Sequence, residues 1–381
     1  MNLISITNAV EIKNNRVKPF DGEKDYLATG GLVDNSISTE KVDYKTKPSR
    51  ADLLVDVDQL VVARMKSTTK VLLVDNNTKD LIVSTGFLVL TPKDGWDPKF
   101  LYHYFKSSNF QDQKDKLSIG ATQQAINNSK FKDILIPELS FEDQKRIVKI
   151  LDEADALRQK RKQAIGLLDE YLKSVFLEMF GDPVKNPKGL RVERLETLTN
   201  KITDGTHKTP NYLTEGVKFI SAKNIKEEQI TWEDIRHISE VEHKAIYKRC
   251  NPERNDLLLT KSGSLGMVAL VDVDFEFSLF ESLALIKIKR ELINPIYLRE
   301  YLNLKEIKSF YSERTKGVGV KHLHLVDIKS IPILVPDKKD QKIFTEEVKK
   351  IKSLKQNMIN QFEKLEAQFL VLIQKAFKGE L

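Results

Sequence analysis

Asp143-Gln144-Lys145-Arg146-Ile147-Val148 heads one long periodic segment of this chain, and Asp340-Gln341-Lys342-Ile343-Phe344-Thr345 heads another. The two are offset by 341 − 144 = 197 residues. An internal period of this kind is the first thing to test in a sequence, because it dictates the architecture. With the offset held at 197, Ile134 and Ile136 meet Ile331 and Ile333, Leu168 meets Leu365 and Phe180 meets Phe377. Upstream, Pro98 meets Pro295, Leu101 meets Leu298, Tyr104 meets Tyr301 and Gly120 meets Gly317. Val62-Ala63-Arg64 falls on Leu259-Thr260-Lys261, so one ungapped offset links roughly residues 58–180 to 255–377. Identities are few but apolar positions coincide throughout, which a chance match of short fragments does not produce.

Each copy runs in the same order. A strand-rich part comes first, with short apolar runs such as Lys70-Val71-Leu72-Leu73-Val74, Phe87-Leu88-Val89-Leu90, Asp256-Leu257-Leu258-Leu259 and Leu283-Ala284-Leu285-Ile286 bounded by turn residues. A short helix follows from Pro98 or Pro295, where proline suits the first turn. A long helix closes the copy. Ser140-Phe141-Glu142-Asp143 has the form of a capping box and Asp337-Lys338-Lys339-Asp340 is the matching start. Gly181 before Asp182-Pro183, and Lys378-Gly379 near the end of the chain, supply the stops.

Both long segments carry an apolar seam with alternating spacings of four and three. The first runs through Ile147, Leu151, Ala154, Arg158, Leu168 and Leu172, the second through Phe344, Ile351, Lys355, Leu365 and Phe369. That spacing is the coiled-coil repeat, and both seams turn polar at equivalent places, Arg158 and Lys355. The expectation is an antiparallel pair of helices with a polar layer fixing register. The alternative is that each helix packs only on its own globular part. Thirty-eight residues from Asp143 to Phe180 make a helix of about 57 Å, and such a pair would hold two globular heads apart like a ruler.

The chain has 381 residues, 40% hydrophobic and 31% charged, with a net charge of +7. The length implies more than one domain and the apolar fraction permits real cores. A basic balance favours a polyanionic partner, though +7 over this length is a weak signal. One cysteine, Cys250, allows no internal disulfide, and no Cys/His cluster has zinc spacing. With no signal-peptide pattern at Met1-Asn2-Leu3-Ile4-Ser5 and no apolar run of membrane-spanning length, the expectation is a cytoplasmic protein without a membrane partner or a metal.

Several stretches together resemble a known family. Asp143-Gln144-Lys145-Arg146-Ile147-Val148, Leu151-Asp152-Glu153-Ala154-Asp155, Arg158-Gln159-Lys160-Arg161 and Phe176-Leu177-Glu178-Met179-Phe180-Gly181-Asp182-Pro183 resemble the central conserved region of specificity subunits of type I restriction–modification enzymes. Asp204-Gly205-Thr206-His207-Lys208-Thr209-Pro210, Phe219-Ile220-Ser221-Ala222-Lys223-Asn224-Ile225 and Thr260-Lys261-Ser262-Gly263-Ser264-Leu265-Gly266 are similar to its target-recognition domains. The resemblance covers essentially the whole chain. The first half departs from it: there is no Asp-Gly-Thr-His counterpart, and Ala63-Arg64-Met65-Lys66-Ser67 stands in place of the Thr-Lys-Ser-Gly run.

The resemblance implies an α+β chain of two pseudo-symmetric target-recognition domains, 1–139 and 182–336, joined by long antiparallel coiled-coil helices at 140–181 and 337–381. It implies a non-catalytic subunit that reads a split double-stranded DNA target with an unspecified gap. Two adenine-methylating subunits and two motor–nuclease subunits would be its partners. S-adenosylmethionine, ATP and magnesium would belong to those partners and not to this chain.

Candidate DNA contacts follow from chemistry at the loops. In the first half they are Arg64, Lys66, Ser67, Gln123, Gln124 and Asn127, since Gln and Asn can pair bidentately with adenine and Lys or Arg can meet guanine. In the second half they are Thr206, His207, Lys208, Lys261, Ser262, Ser264, Lys316, Lys321 and His322. For any single one of the loop residues, ordinary solvent-facing loop chemistry is the stronger reading, and for the Lys261, Ser262 and Ser264 turn the two readings are even. Asn294-Pro295-Ile296-Tyr297 is a near miss to the motif that holds a flipped adenine, but a helix start explains it better. Ser262-Gly263-Ser264-Leu265-Gly266 lacks the Gly-Lys-Ser/Thr ending of a phosphate loop and reads as a turn. Lys160-Arg161-Lys162 reads as a solvated helix face, with DNA or an acidic partner as the alternative. Two rival functions remain: a fused methyltransferase or nuclease, for which catalytic motifs are missing, and a coiled-coil scaffold whose heads bind protein.

Overall fold

A computed structural model of the chain describes residues 2–33, 36–121, 123–314 and 322–381, the side chains of 312–314 excepted. It divides into two compact units, Met1–Gln163 with Met358–Leu381, and Ala164–Asn357.

In the first unit the main sheet orders its strands Val10–Lys13, Phe87–Pro92, Leu60–Ala63 and Val71–Leu73, all antiparallel. Leu60-Val61-Val62-Ala63 is buried along its whole length, because this central strand is covered on both faces and therefore reads as a continuous apolar run. A second sheet orders Glu40–Val42, Lys24–Leu27, Ile82–Ser84 and Ala51–Leu54, with Lys24–Leu27 parallel to Ile82–Ser84. Helices Pro98–Lys106 and Ser108–Leu117 start on Asp97 and Ser107, whose side chains accept the free backbone N–H groups.

The second unit repeats the plan. Its main sheet orders Thr199–Asp204, Leu283–Ile288, Leu257–Thr260 and Val268–Leu270, and a second sheet orders Arg236–Ile238, Val217–Ile220 and Ser278–Leu279. The elements beginning at Leu60, Val71, Pro98, Ser108 and Phe141 recur at Leu257, Val268, Pro295, Lys305 and Lys338, each 197 residues on. Before Leu60 the offset slips. Val217–Ile220, antiparallel to one neighbour and parallel to the other as Lys24–Leu27 is, begins only 217 − 24 = 193 residues later.

The long helices span Phe141–Phe180 and Lys338–Lys378, within a few residues of the expected segments. At the first, Ser140 Oγ accepts from the Asp143 N–H at 3.1 Å and donates to the Asp143 carboxylate at 2.7 Å, so Asp143 meets the cap hydroxyl where the capping-box reading had it reach the cap backbone. Gly181 and Gly379 take the left-handed conformation at the ends, with φ of 78° and 76°. The repeated Asp-Gln-Lys has a physical cause in its glutamine. Gln144, buried, accepts from the Asp97 N–H (2.9 Å) and donates to the Gly95 and Leu139 carbonyls. Gln341 does the same with the Asn294 N–H (2.8 Å) and the Leu292 and Pro336 carbonyls. Each glutamine thus ties a long helix to the start of the short helix before it.

The helices are shared between the units. In the first unit Ile147 and Leu151 share a core with Phe369, and Ala154 packs against it. In the second, Phe344, Val348, Phe176 and Phe180 share a core against which Leu172 packs. Ile351 is buried as well, whereas Leu168 and Leu365 are half-buried, so the seam is tightest towards its ends. Polar pairs cross it. Arg158 binds Glu366 (Nε–Oε1 2.6 Å) and lies 4.2 Å over the Phe369 ring, while Lys355 binds Asp169 at 2.7 Å. Because 355 − 158 and 366 − 169 both equal 197, the two ion pairs are one contact repeated, and the pairing is antiparallel. The compact units therefore cut across both helices. Among the described residues no helix is long and apolar enough to cross a membrane.

Candidate nucleic-acid interface

In the first unit the chain leaves strand Leu60–Ala63 into a loop that turns at Ser67, with φ of 56°. Two other segments hold it. Ser67 donates through its N–H and Oγ to Asp115 (2.9 and 3.2 Å), and the Lys66 N–H donates to the Gln124 carbonyl at 2.9 Å. Lys66 Nζ reaches Gln124 Oε1 at 2.8 Å. Gly120 has φ of 137°, and a Cβ there would fall 2.3 Å from the Gln123 carbonyl oxygen, so the second loop needs glycine to close. Lys66, Ser67, Gln123 and Gln124 come together as one exposed polar patch.

Arg64 and Asn127 are in the neighbourhood but are used internally. Arg64 is half-buried and donates to the Phe87 carbonyl (3.0 Å) and to Asn128 Oδ1 (2.7 Å); Asn127 caps the short helix Asn128–Phe131 by accepting from the Lys130 N–H at 2.8 Å. Under the loop sits Lys114, fully buried, with Nζ donating to the Thr68 carbonyl at 2.5 Å. Burial pushes this ammonium down to about 8, against a smaller opposing pull from Asp115.

In the second unit the turn after Thr199–Asp204 carries the candidates. Gly205 is required by contact: a Cβ would lie 2.1 Å from the Leu279 carbonyl oxygen. Asp204, buried, is the hub. It accepts from Lys261 Nζ at 2.6 Å and from Arg249 Nη1 at 3.1 Å, and His207 Nε2 lies 3.3 Å away. Burial alone would raise the Asp204 carboxyl, but the hydrogen bonds from Lys261 and Arg249 outweigh it and hold the group below its ordinary range. Lys261 is therefore not a surface cation; it is 4% exposed and its charge is spent on Asp204.

His207 is exposed and stands between Asp204 and Glu281, the latter at 3.3 Å; His322 Nε2 is 3.8 Å from the same Glu281. Thr206 Oγ1 donates to the Lys208 carbonyl, and Lys208 is exposed. Ser262 is half-exposed and Ser264 exposed on a turn closed by Gly266, whose φ is 79° and whose Cβ position is filled by the Tyr311 ring. The Leu323 N–H donates to the Lys261 carbonyl at 2.9 Å, which brings His322 beside this turn. Lys316 and Lys321 lie outside the described residues.

The residues that sequence reading did not single out are the ones that hold the loops: Asp115, Lys114, Asp204, Glu281 and Arg249. Only Asp204 had a signal, as the first residue of the Asp-Gly-Thr-His run. Asn294 caps the helix beginning at Pro295 by accepting from the Ile296 and Tyr297 N–H groups, and Tyr297 is fully buried with its hydroxyl on the Leu334 carbonyl (2.9 Å). That segment is a helix start with no room for a flipped base. Lys160 and Lys162 are exposed and Arg161 half-exposed on the central helix. Among the described residues no group of three or more His, Cys, Asp or Glu side chains is placed to hold a metal ion.

Comparison with known proteins gives a consistent picture. The family model described as type I restriction modification DNA specificity domain matches residues 4–167 and again 191–368. The chain is 21% identical over 319 residues to the type I restriction enzyme EcoBI specificity subunit of Escherichia coli, covering 76% of this chain and 67% of that protein. It is 25% identical over 275 residues to the MjaIX specificity subunit of Methanocaldococcus jannaschii, covering 67% of this chain and 62% of that one. The chain thus spans about two thirds of the length of these relatives. A chain solved in work on complex assembly and conformational transition of the type I R-M system has the same fold, with a TM-score of 0.66 at 18% identity over 100% of this chain and 98% of that chain.

Proposed function

Because this chain belongs to the family of type I restriction–modification DNA specificity domains, matched once in each half, we propose that it reads a bipartite double-stranded DNA target and directs partner subunits to it. The observation that carries the reading is the duplication itself. Two units of one plan each present a braced polar loop cluster, Lys66, Ser67, Gln123 and Gln124 in one and His207, Lys208, Ser262, Ser264 and His322 in the other. The two clusters differ in chemistry, so the two parts of the target differ in sequence. Amide side chains suit adenine, and lysine suits guanine or phosphate. Thr206, Lys261, Arg64 and Asn127 contribute by shaping these loops.

The helices supply the rest of the reading. Repeated ion pairs support one register for the pairing, and a helix pair in fixed register would serve to set the gap between the two parts of the target. Exposed apolar side chains at equivalent places on them, Leu157 and Leu354, suit the docking of two copies of one partner, the adenine-methylating subunit. Motor–nuclease subunits complete the restriction complex. S-adenosylmethionine, ATP and magnesium act in those partners.

Footprinting of the chain assembled with its methylating subunits tests the proposal. Two protected patches separated by unprotected base pairs are expected, with affinity that falls steeply as salt rises. One uninterrupted patch, or binding indifferent to sequence and salt, would overturn it in favour of a scaffold.

A further inference from the structure

The segment after the Asp204 turn crosses the second sheet of its unit from one edge to the other. Thr206 bridges to Phe280 next to strand Ser278–Leu279, and Leu213 bridges to His237 on the opposite edge strand, Arg236–Ile238. Tyr212 therefore belongs to the same crossing segment as His207 and Lys208. Its ring rests on Phe219 with centroids 6.0 Å apart, and it remains 39% exposed. The Arg236 guanidinium lies 4.1 Å over its face.

Arg236 is unusual among the described arginine side chains of its unit. Arg191, Arg194, Arg249, Arg254 and Arg299 each hold a carboxylate, and Arg290 holds a carbonyl. Among the described residues the Arg236 guanidinium makes no hydrogen bond or ion pair; the aromatic face is its support. A stacked guanidinium keeps its planar edge and all its donors available while losing most of its rotamer freedom in advance. A planar fork of donors pre-set in this way matches the O6 and N7 acceptors of guanine in the major groove.

The first unit shows whether this is a general grip on DNA. In the matching strand pair Glu40 stands opposite Tyr26, as Arg236 stands opposite Phe219. A residue that gripped phosphates in both units would not be replaced by a carboxylate in one. A residue that chooses a base would be free to change.

We propose that Arg236, held on Tyr212, reads a guanine in the part of the target contacted by residues 164–357. The proposal rests on the DNA-specificity reading above and adds a letter and a residue to it.

The test is a selection from a random-sequence duplex pool by the full chain assembled with its methylating subunits, run on the native chain, Arg236→Ala, Arg236→Lys and Tyr212→Ala. Thermal melting of each variant confirms an intact fold. The native complex should select two sequence blocks, one with a fixed guanine. Arg236→Ala should lose preference for that guanine on the order of 10- to 100-fold and leave the other block unchanged. Arg236→Lys, which keeps the charge but not the fork, and Tyr212→Ala, which removes the support, should relax the same position. Unchanged preferences would overturn the proposal. So would a uniform loss across all sequences with a shallower salt dependence, which is the signature of a phosphate contact. A native complex that selects no sequence at all would overturn the DNA-specificity reading, a failure visible before any variant is compared.

Discussion

A buried lysine is the residue with the sharpest physical consequence. Lys114 has no exposed surface and spends its ammonium on the Thr68 carbonyl, at the foot of the loop that presents Lys66 and Ser67. Its neighbour Asp115 clamps Ser67, so two consecutive residues of one helix set the loop. In the other unit the same place is taken by Tyr311, whose ring fills the space above Gly266. One unit braces its loop with a charge, the other with a ring. The charge carries a pH signature. Burial pushes Lys114 down to about 8, while an unfolded lysine titrates at about 10.4. Between those values the unfolded chain binds more protons than the folded one, so stability rises with pH across that window. Below it the folded state carries the full penalty of a buried ammonium. Denaturant titrations from pH 7.5 to 10.5 should show this rise in the native chain and a flatter profile in Lys114→Met. An identical profile in both would show that another group sets the slope.

At the scale of elements, the interhelical ion pairs are the feature to challenge. Arg158 is bonded to Glu366 and Asp155 and stacked on Phe369, so the pair is more than an exposed surface contact. A double-mutant cycle over Arg158 and Glu366 should give a coupling of about 1–2 kcal/mol by denaturant unfolding, and the equivalent cycle over Lys355 and Asp169 a smaller one, since that pair is more exposed. Additive effects in the first cycle would mean that the apolar seam alone sets register. The seam, the helix stops and the 197-residue offset were all legible in the sequence, because coiled-coil spacing and capping residues are local signals. The second sheets were not. Lys24–Leu27 pairs in parallel with Ile82–Ser84, far along the chain, and the offset slips by four residues there, so no local pattern marks the register. Among the candidate residues, the exposed positions of Lys66, Gln123, Gln124, His207 and Lys208 were legible as polar loop chemistry. Lys261 misled for a definite reason. A lysine just beyond a buried strand looks solvent-bound until its partner is known, and that partner, Asp204, is 57 residues away. Arg236 and Tyr212 were missed for the same cause, since their contact exists only once the crossing segment lies on its sheet.

For the whole molecule the decisive fact is the composition of the two cores. The first takes the beginning of the central helix and the end of the C-terminal one, through Leu151 and Phe377; the second takes the reverse, through Phe180 and Phe344. In the language of oligomers, the protein is a reciprocal domain swap written into one polypeptide. Opening the chain in the stretch between Gly181 and Arg191 would give two pieces, each of which lends an arm to the other's core. Neither piece can bury its own apolar surface alone, since Phe176 and Phe180 leave one core and Phe369, Ile373 and Phe377 leave the other. Residues 1–181 and 182–381 produced as separate chains in one cell should therefore copurify in equal amounts, and each produced alone should be insoluble or bind a hydrophobic dye. Two halves that purify apart as folded monomers would contradict this. The covalent link is then a convenience of stoichiometry, and cohesion resides in the exchanged arms.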